Sequence, residues 1–466
     1  MTQAAFGAVG ADGRIIRGAG ATRMALSVSE LRRAAWTCSL GSALEYYDFA
    51  LYSLASALVF GPLFFPSVSP VTSLIASFAT YFVGFAVRPV GGIIFGTLGD
   101  TIGRKKVLLI TVTLMGLAST GIGLIPTYQT IGVWAPVLLV TARVLQGLGA
   151  GAEQAGAAVM MTEYAPAGHR GFYASLPFLG IQIGTIIAAI VYCGLLFGVT
   201  DITHSWVWRV PFLVSAVILV VALYMRLKLK ESPTFEKIQR KTQEEHEALA
   251  VVIRTSWRTI IAGIGVRMAE NGGSSIYQVL AISYIVNTMG LPGLWGTSAL
   301  ITAAVVGGFT VPIAGLLSDR FGRIKVYRSF AILQGVTAFP VWYAFSTGRP
   351  LLAVLALSMG LGITTWGMFG TQAAMLPEMF GARHRYMAVS MSREVSAVIA
   401  GGVTPLVGSF IIRWVAAFHP DAVHPGQMAW LPIAGYVVLL SMTTIATTFF
   451  IPECRNRDLL EQNDIL

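Results

Sequence analysis

One charged pattern occurs twice in this chain: Gly96-Thr-Leu-Gly-Asp100-Thr-Ile-Gly103-Arg104-Lys105-Lys106 and, 219 positions later, Gly315-Leu-Leu-Ser-Asp319-Arg320-Phe-Gly322-Arg323-Ile-Lys325. Each copy joins two long apolar segments. A charged hairpin repeated between apolar helices in both halves of a chain reads as a duplicated helical transporter, with its substrate path between the halves. The repetition extends further. Glu163 and Glu378 each close an apolar segment, Arg170 and Arg385 each follow seven residues later, and both pairs are 215 positions apart.

Only 12% of the 466 residues are charged and 55% are hydrophobic, too little polar surface for a water-soluble core of this size. The apolar runs are about twenty residues long, the length that crosses the hydrocarbon core as helix. They fall near 34–60, 73–97, 107–126, 133–161, 172–198, 206–226, 258–286, 294–316, 326–346, 351–376, 386–413 and 427–451, predicting twelve membrane helices. The expected division is an N-terminal tail over 1–33, a six-helix bundle over 34–226, a linker over 227–257, a second six-helix bundle over 258–451 and a C-terminal tail over 452–466. The linker carries Phe235, Ile238 and Leu249 among its charges and is expected to lie as an amphipathic helix on the membrane surface.

A net charge of +10 does not imply nucleic acid here. Apart from Arg88, Arg143, Arg209, Arg267, Arg349, Arg393 and Arg413, the 32 Lys and Arg fall in the two tails and every second inter-helix loop, which places both termini in the cytoplasm. The first 33 residues lack the apolar stretch of a secretory signal. Cys38, Cys193 and Cys454 form no disulfide framework or metal-ligand pattern.

Further motifs give the chain a family resemblance. The hairpin matches the Gly-x-Leu-x-Asp-x-x-Gly-Arg-Lys-Lys signature of the major facilitator superfamily, and its second copy differs at Ile324. Glu45-Tyr-Tyr-Asp48-Phe49, Phe85-Ala-Val-Arg88-Pro89-Val-Gly91-Gly92, Arg143-Val-Leu-Gln146-Gly147, Trp208-Arg209-Val-Pro211-Phe212, Glu231-Ser232-Pro233 and Pro377-Glu378-Met-Phe380 with Arg385-Tyr386 resemble the metabolite:proton symporters, which include shikimate, α-ketoglutarate, citrate and proline/betaine carriers. The resemblance spans residues 34–454. It implies an all-α fold of two pseudo-symmetric six-helix bundles. Two departures stand out. Gly151-Ala-Glu153-Gln154-Ala-Gly156 has an amide where the family often has Trp. The tail after Ile451 has no heptads, which argues against osmotic gating by a coiled coil.

Intramembrane charges are costly and each needs an account. Glu45 and Asp48 share a face of helix 1, and paired carboxylates in a low-dielectric cavity raise at least one pKa. Asp48 is therefore the first candidate proton carrier, with Glu45 and Glu153 behind it; a structural ion pair of Asp48 with Arg88 or Arg143 competes with that reading. An anionic substrate needs a guanidinium. Arg88, Arg143, Arg267 and Arg393 qualify, with Arg267 and Arg393 foremost, against structural pairing with Glu270 and Glu394. Gln154, Gln182 and Asn271 follow as buried amides, then Tyr47 and Tyr277. Asp100 with Arg104, and Asp319 with Arg323, are expected to latch the cytoplasmic gate together with Glu163 and Glu378.

The function expected is proton-coupled symport of a small polar metabolite, a carboxylate or zwitterion, by alternating access. Proton-driven efflux and a non-transporting sensor are the alternatives; Leu176-Pro177-Phe-Leu-Gly180-Ile reproduces the drug-antiporter pattern of helix 5 only in part. No phosphate-binding loop is present, and Ser, His and Cys show no catalytic arrangement. The expectation is thus no enzyme, no metal and no cofactor beyond the proton gradient. The expected partners are the substrate, protons and the bilayer, with the chain a monomer and no nucleic acid bound.

Overall fold

The computed structural model describes residues 28–466 apart from 67–68, 103, 152, 199–205, 229–248, 383–384, 419, 421, 460 and 462. Twelve long helical units follow one another among these residues, with no strand. They are α1 (Val28–Leu58), α2 (Pro70–Ala86 and Arg88–Ile102), α3 (Arg104–Leu124), α4 (Trp134–Ala150 and Glu153–Tyr164), α5 (Arg170–Gly198) and α6 (Val210–Lys228). The second set is α7 (Leu249–Val266 and Met268–Ser275, then wider π turns to Thr288), α8 (Gly293–Phe321), α9 (Arg323–Ser346), α10 (Pro350–Leu357, Ser358–Thr365 and Trp366–Met379), α11 (Arg385–Ser396, Ala397–Gly402 and Val403–Phe418) and α12 (Trp430–Phe450). Helix is the form that lets a single span satisfy its own backbone groups in lipid. Seven of the units are long and apolar enough to cross a membrane on their own composition.

Two boundaries differ from expectation. α1 begins at Val28 rather than 34, and α7 begins at Leu249, within the expected linker. Residues 229–248, where the surface helix was expected, lie outside the described residues.

Several units are broken in mid-span, and the break in α2 has a plain chemical cause. Pro89 has no N–H and its ring collides with the preceding turn, so α2 restarts at Arg88 after a turn at Val87. α7, α10 and α11 each contain a π segment, a form often found at functional sites.

Within the first bundle α5 packs along α1, and it also packs along α8 of the second bundle. That crossing is close because two glycines face one another: a Cβ on Gly171 would sit 2.4 Å from the Gly315 carbonyl oxygen, and one on Gly315 would sit 2.6 Å from that of Gly171. The small residues let two backbones touch between the bundles. At the opposite end, α1 and α7 meet where Asn287 Nδ2 donates to the Ala57 carbonyl at 2.7 Å. The bundles are therefore in contact both at the hairpin end and at the far end.

Candidate functional site

Between those two contacts lies a cavity lined from α1, α2, α4, α7, α10 and α11. Its polar groups cluster at the helix interruptions. Arg88 stands at the break of α2, Arg267 at the break of α7, Gln154 just after the break of α4, and Arg393 and Glu394 one turn before the π segment of α11.

The three cavity arginines are held in different ways. Arg88 joins the bundles: its Nε donates to Glu394 Oε2 on α11 at 2.7 Å, and its Nη2 donates to Glu45 Oε1 on α1 at 3.2 Å. Its guanidinium also faces the Phe49 ring at 5.0 Å. Arg267 is saturated. It donates to Glu270 Oε1 at 2.8 Å, to the Arg393 carbonyl at 3.0 Å and to Ser396 Oγ at 3.1 Å, while Glu270 accepts a further hydrogen bond from the Tyr327 hydroxyl at 2.9 Å.

Arg393 has no carboxylate within ion-pair distance among the described residues. Its Nη2 donates to Gln154 Oε1 at 2.5 Å and its Nη1 to Gln372 Oε1 at 3.3 Å, so its terminal nitrogens rest on neutral amides from α4 and α10. Arg393 Nε, Gln154 Nε2 and Gln372 Nε2 are buried without a partner. Buried donors are ordinarily paired, and three idle donors around a cation with no ion pair of its own are groups able to donate to an anion.

A second charged pair lies in the first bundle. Asp48 Oδ1 accepts from the Ser215 hydroxyl on α6 at 3.0 Å and has no ion pair among the described residues. Arg143, fully buried, donates to Gln146 Oε1 and to the Tyr81 carbonyl at 3.3 Å, and lies 3.7 Å over the Tyr52 ring. The competing ion pairs of Asp48 with Arg88 or Arg143 are not formed. Arg88 is taken by two glutamates, and Arg143 spends its donors on an amide and on carbonyls.

At the hairpin end the charges interlock. Both oxygens of Asp319 accept from the N–H groups of Gly171 and Phe172 at 2.8 Å, so the end of α8 caps the start of α5 across the bundles. Arg323 donates to Asp319 at 2.7 Å and to Glu378 at 2.9 Å. Arg170 of α5 reaches Glu378 at 3.4 Å, and Arg385 of α11 reaches Glu163 of α4 at 3.0 Å. The side chains of Asp100, Arg104 and Glu153 lie outside the described residues.

Of the residues singled out for substrate, Arg88, Arg267, Arg393, Gln154 and Asn271 line the cavity. Arg143, Gln182, Tyr47 and Tyr277 do not. Tyr47 donates its hydroxyl to the Pro211 carbonyl at 2.8 Å, and Tyr277 stacks on Trp342; both serve packing. Arg267 pairs with Glu270 as weighed, whereas the Arg393 and Glu394 pairing is not formed: Glu394 turns to Arg88. Tyr81 and Ser274, which no sequence pattern singles out, also border the cavity, as does Glu394, expected only as a partner of Arg393. Adjacent Arg393-Glu394 point to different sides of a helix, a signal that argued against their pairing.

A family model described as sugar (and other) transporter matches residues 34–259. The chain is 36% identical over 420 residues to the putative transporter YdfJ of Escherichia coli K12, covering 90% of this chain and 96% of that one. It is 37% identical over 411 residues to the shikimate transporter of the same organism, covering 86% and 92%. It is 32% identical over 448 residues to the E. coli K12 proline/betaine transporter, covering 92% and 85%. Among solved structures, the proton:xylose symporter XylE bound to 6-bromo-6-deoxy-D-glucose superposes with a TM-score of 0.71 at 18% identity, over 93% of this chain and 98% of that one, a likeness of fold.

Proposed function

The chain belongs to the major facilitator superfamily, among its metabolite:proton symporters, and from that premise we propose that it carries a small carboxylate inward across the inner membrane, coupled to proton entry. The observation that carries this reading is Arg393: a buried cation at the cavity with no carboxylate of its own, flanked by two amides whose N–H groups are idle. A carboxylate placed there accepts from Arg393 and from Gln154 or Gln372, and gives Arg393 the direct ion pair it lacks. The proline/betaine relatives are named for zwitterions, and a zwitterion presents the same carboxylate to this cluster.

Asp48 is the proton carrier in this reading. Its partner, the Ser215 hydroxyl, can donate to a carboxylate or accept from a carboxylic acid, so Asp48 is satisfied in both states. The hairpin end, with Asp319, Arg323, Glu378 and Glu163 described and Asp100 and Arg104 in the other copy, acts as the cytoplasmic gate, and both termini are cytoplasmic. The chain works as a monomer with no cofactor but the gradient.

The test is uptake into proteoliposomes of shikimate, aromatic acids, dicarboxylates, citrate and betaines, with and without an inward proton gradient. At least one carboxylate is expected to accumulate only with the gradient; uptake indifferent to it overturns the symport reading. Asp48→Asn is expected to abolish accumulation while sparing counterflow, and a variant that still accumulates normally eliminates Asp48 as the carrier.

A further inference from the structure

Among the described residues the Arg88 bridge is the ion pair between the bundles that borders the cavity itself, deeper than those of the hairpin end. The half of α2 that begins at Arg88 packs against the half of α11 that ends at Ser396, and these two halves run to the hairpin end. Opening that end separates them and must break the bond from Arg88 Nε to Glu394 Oε2. Both partners are buried, 5% and 3% exposed, and parting a buried pair leaves each charge uncompensated in a low dielectric. Arginine does not give up its proton. Protonation of Glu394 releases the bond without leaving a carboxylate stripped of its direct partner.

We propose that Glu394 is a second protonation site, and that its neutralisation unbolts the cavity from the hairpin end. This rests on the reading of the cavity as a proton-coupled carboxylate carrier. Once Glu394 is a carboxylic acid, Arg88 keeps Glu45 on its own bundle at 3.2 Å. The first bundle then leaves with Arg88 and Glu45 paired, and the second with the positive charge of Arg393 open to an anion. The charged and titratable groups clustered with Glu394 at this cavity are Arg88 on α2 with Glu45 and Tyr46 on α1, Arg267 with its partner Glu270 on α7, and the adjacent Arg393, with the Gln154 amide on α4. Among these described groups Arg88, Arg267 and Arg393 stand against Glu45, Glu270 and Glu394, a neutral set. One proton on Glu394 leaves one positive charge over, and an anion at Arg393 restores neutrality. Substrate and proton therefore stabilise one another's binding, which is the condition for coupled transport.

The inference is tested by electron–electron distance measurement between spin labels at the exposed positions Ala167 and Ala382, on either side of the hairpin-end seam, after replacement of Cys38, Cys193 and Cys454. In wild type the distance distribution is expected to shift to longer separations in acid buffer with substrate. Glu394→Gln is expected to show the long separations already in alkaline buffer, to lose gradient-driven accumulation and to keep counterflow. Asp48→Asn, which leaves the bridge intact, is expected to keep the pH-dependent shift. A Glu394→Gln protein with the wild-type pH response, or with wild-type accumulation, overturns this inference alone. Wild type that accumulates no carboxylate with a gradient overturns the parent reading. Should Glu394→Gln fail to fold, Glu394→Asp and wild type carry the test: distributions that do not move with pH in either protein overturn the inference.

Discussion

The hairpin-end seam and the central cavity are built from the same side chains, arginine and carboxylate, and they use them oppositely. At the seam three buried arginines are engaged by carboxylates and carbonyls: Arg323 lies between Asp319 and Glu378, Arg170 between Glu378 and the Arg457 carbonyl, and Arg385 between Glu163 and the Leu459 carbonyl. In the cavity Arg393 rests on amides and retains an idle donor. A saturated network holds two surfaces together, and its worth lies in the contact itself. An unsaturated one is incomplete until something else arrives. Burial alone does not separate them, since Arg323 is 0% and Arg393 2% exposed. The separating property is whether the counter-charge is already in place.

That contrast predicts that one arginine loss destabilises and the other does not, the largest effects expected. Arg323→Gln strips Asp319 and Glu378 of their shared cation, and removing one partner of a buried pair costs about 3–5 kcal/mol. A clear fall in the detergent-solubilised melting temperature is expected. Arg393→Gln removes a buried charge that has no ionic partner, so the melting temperature is expected to hold or rise, while carboxylate uptake falls by about two orders of magnitude, the worth of a lost bidentate ion contact. Thermal melting of the two variants side by side checks the comparison. Equal destabilisation would make Arg393 another structural charge, and its role in binding would fall with it.

How much of this could be read from the sequence follows the same division. The duplicated hairpin and the apolar run lengths carry the twelve helices, because run length against membrane thickness is a local property. The cavity arginines were legible as costs, since any intramembrane charge must be accounted for. Their partners were not. Glu394 beside Arg393 and Glu45 near Asp48 looked like local pairs, yet Arg88 draws both glutamates together from residues 43 and 306 positions away. A contact at that separation is set by how the bundles meet, which no local pattern encodes. Tyr47 and Tyr277 failed for a related reason: a tyrosine in a span packs as readily as it lines a path, and nothing along the chain says which way it turns.

The smallest effect expected concerns a segment whose sequence suggested only a short tail. The described residues of 452–466 run beneath the seam and add hydrogen bonds to it. Gly381 N–H donates to Asp464 Oδ1 at 2.8 Å, Ala382 N–H to the Glu461 carbonyl at 2.7 Å, and Arg457 Nη1 to the Met379 carbonyl at 3.0 Å. Arg170 ties the first bundle to this segment through the Arg457 carbonyl at 2.7 Å, so the segment adds to the closed contact between the bundles without adding a carboxylate to Arg323. Deleting residues 455–466 leaves the Asp319, Arg323 and Glu378 cluster whole and removes bonds worth about 0.5–1.5 kcal/mol each, partly replaced by water. The expected result is a melting temperature lowered by less than in Arg323→Gln, with accumulation retained and the Ala167 to Ala382 distance broadened toward longer values. A truncation as damaging as Arg323→Gln would move the strength of the seam from its buried ion pairs to the segment beneath them.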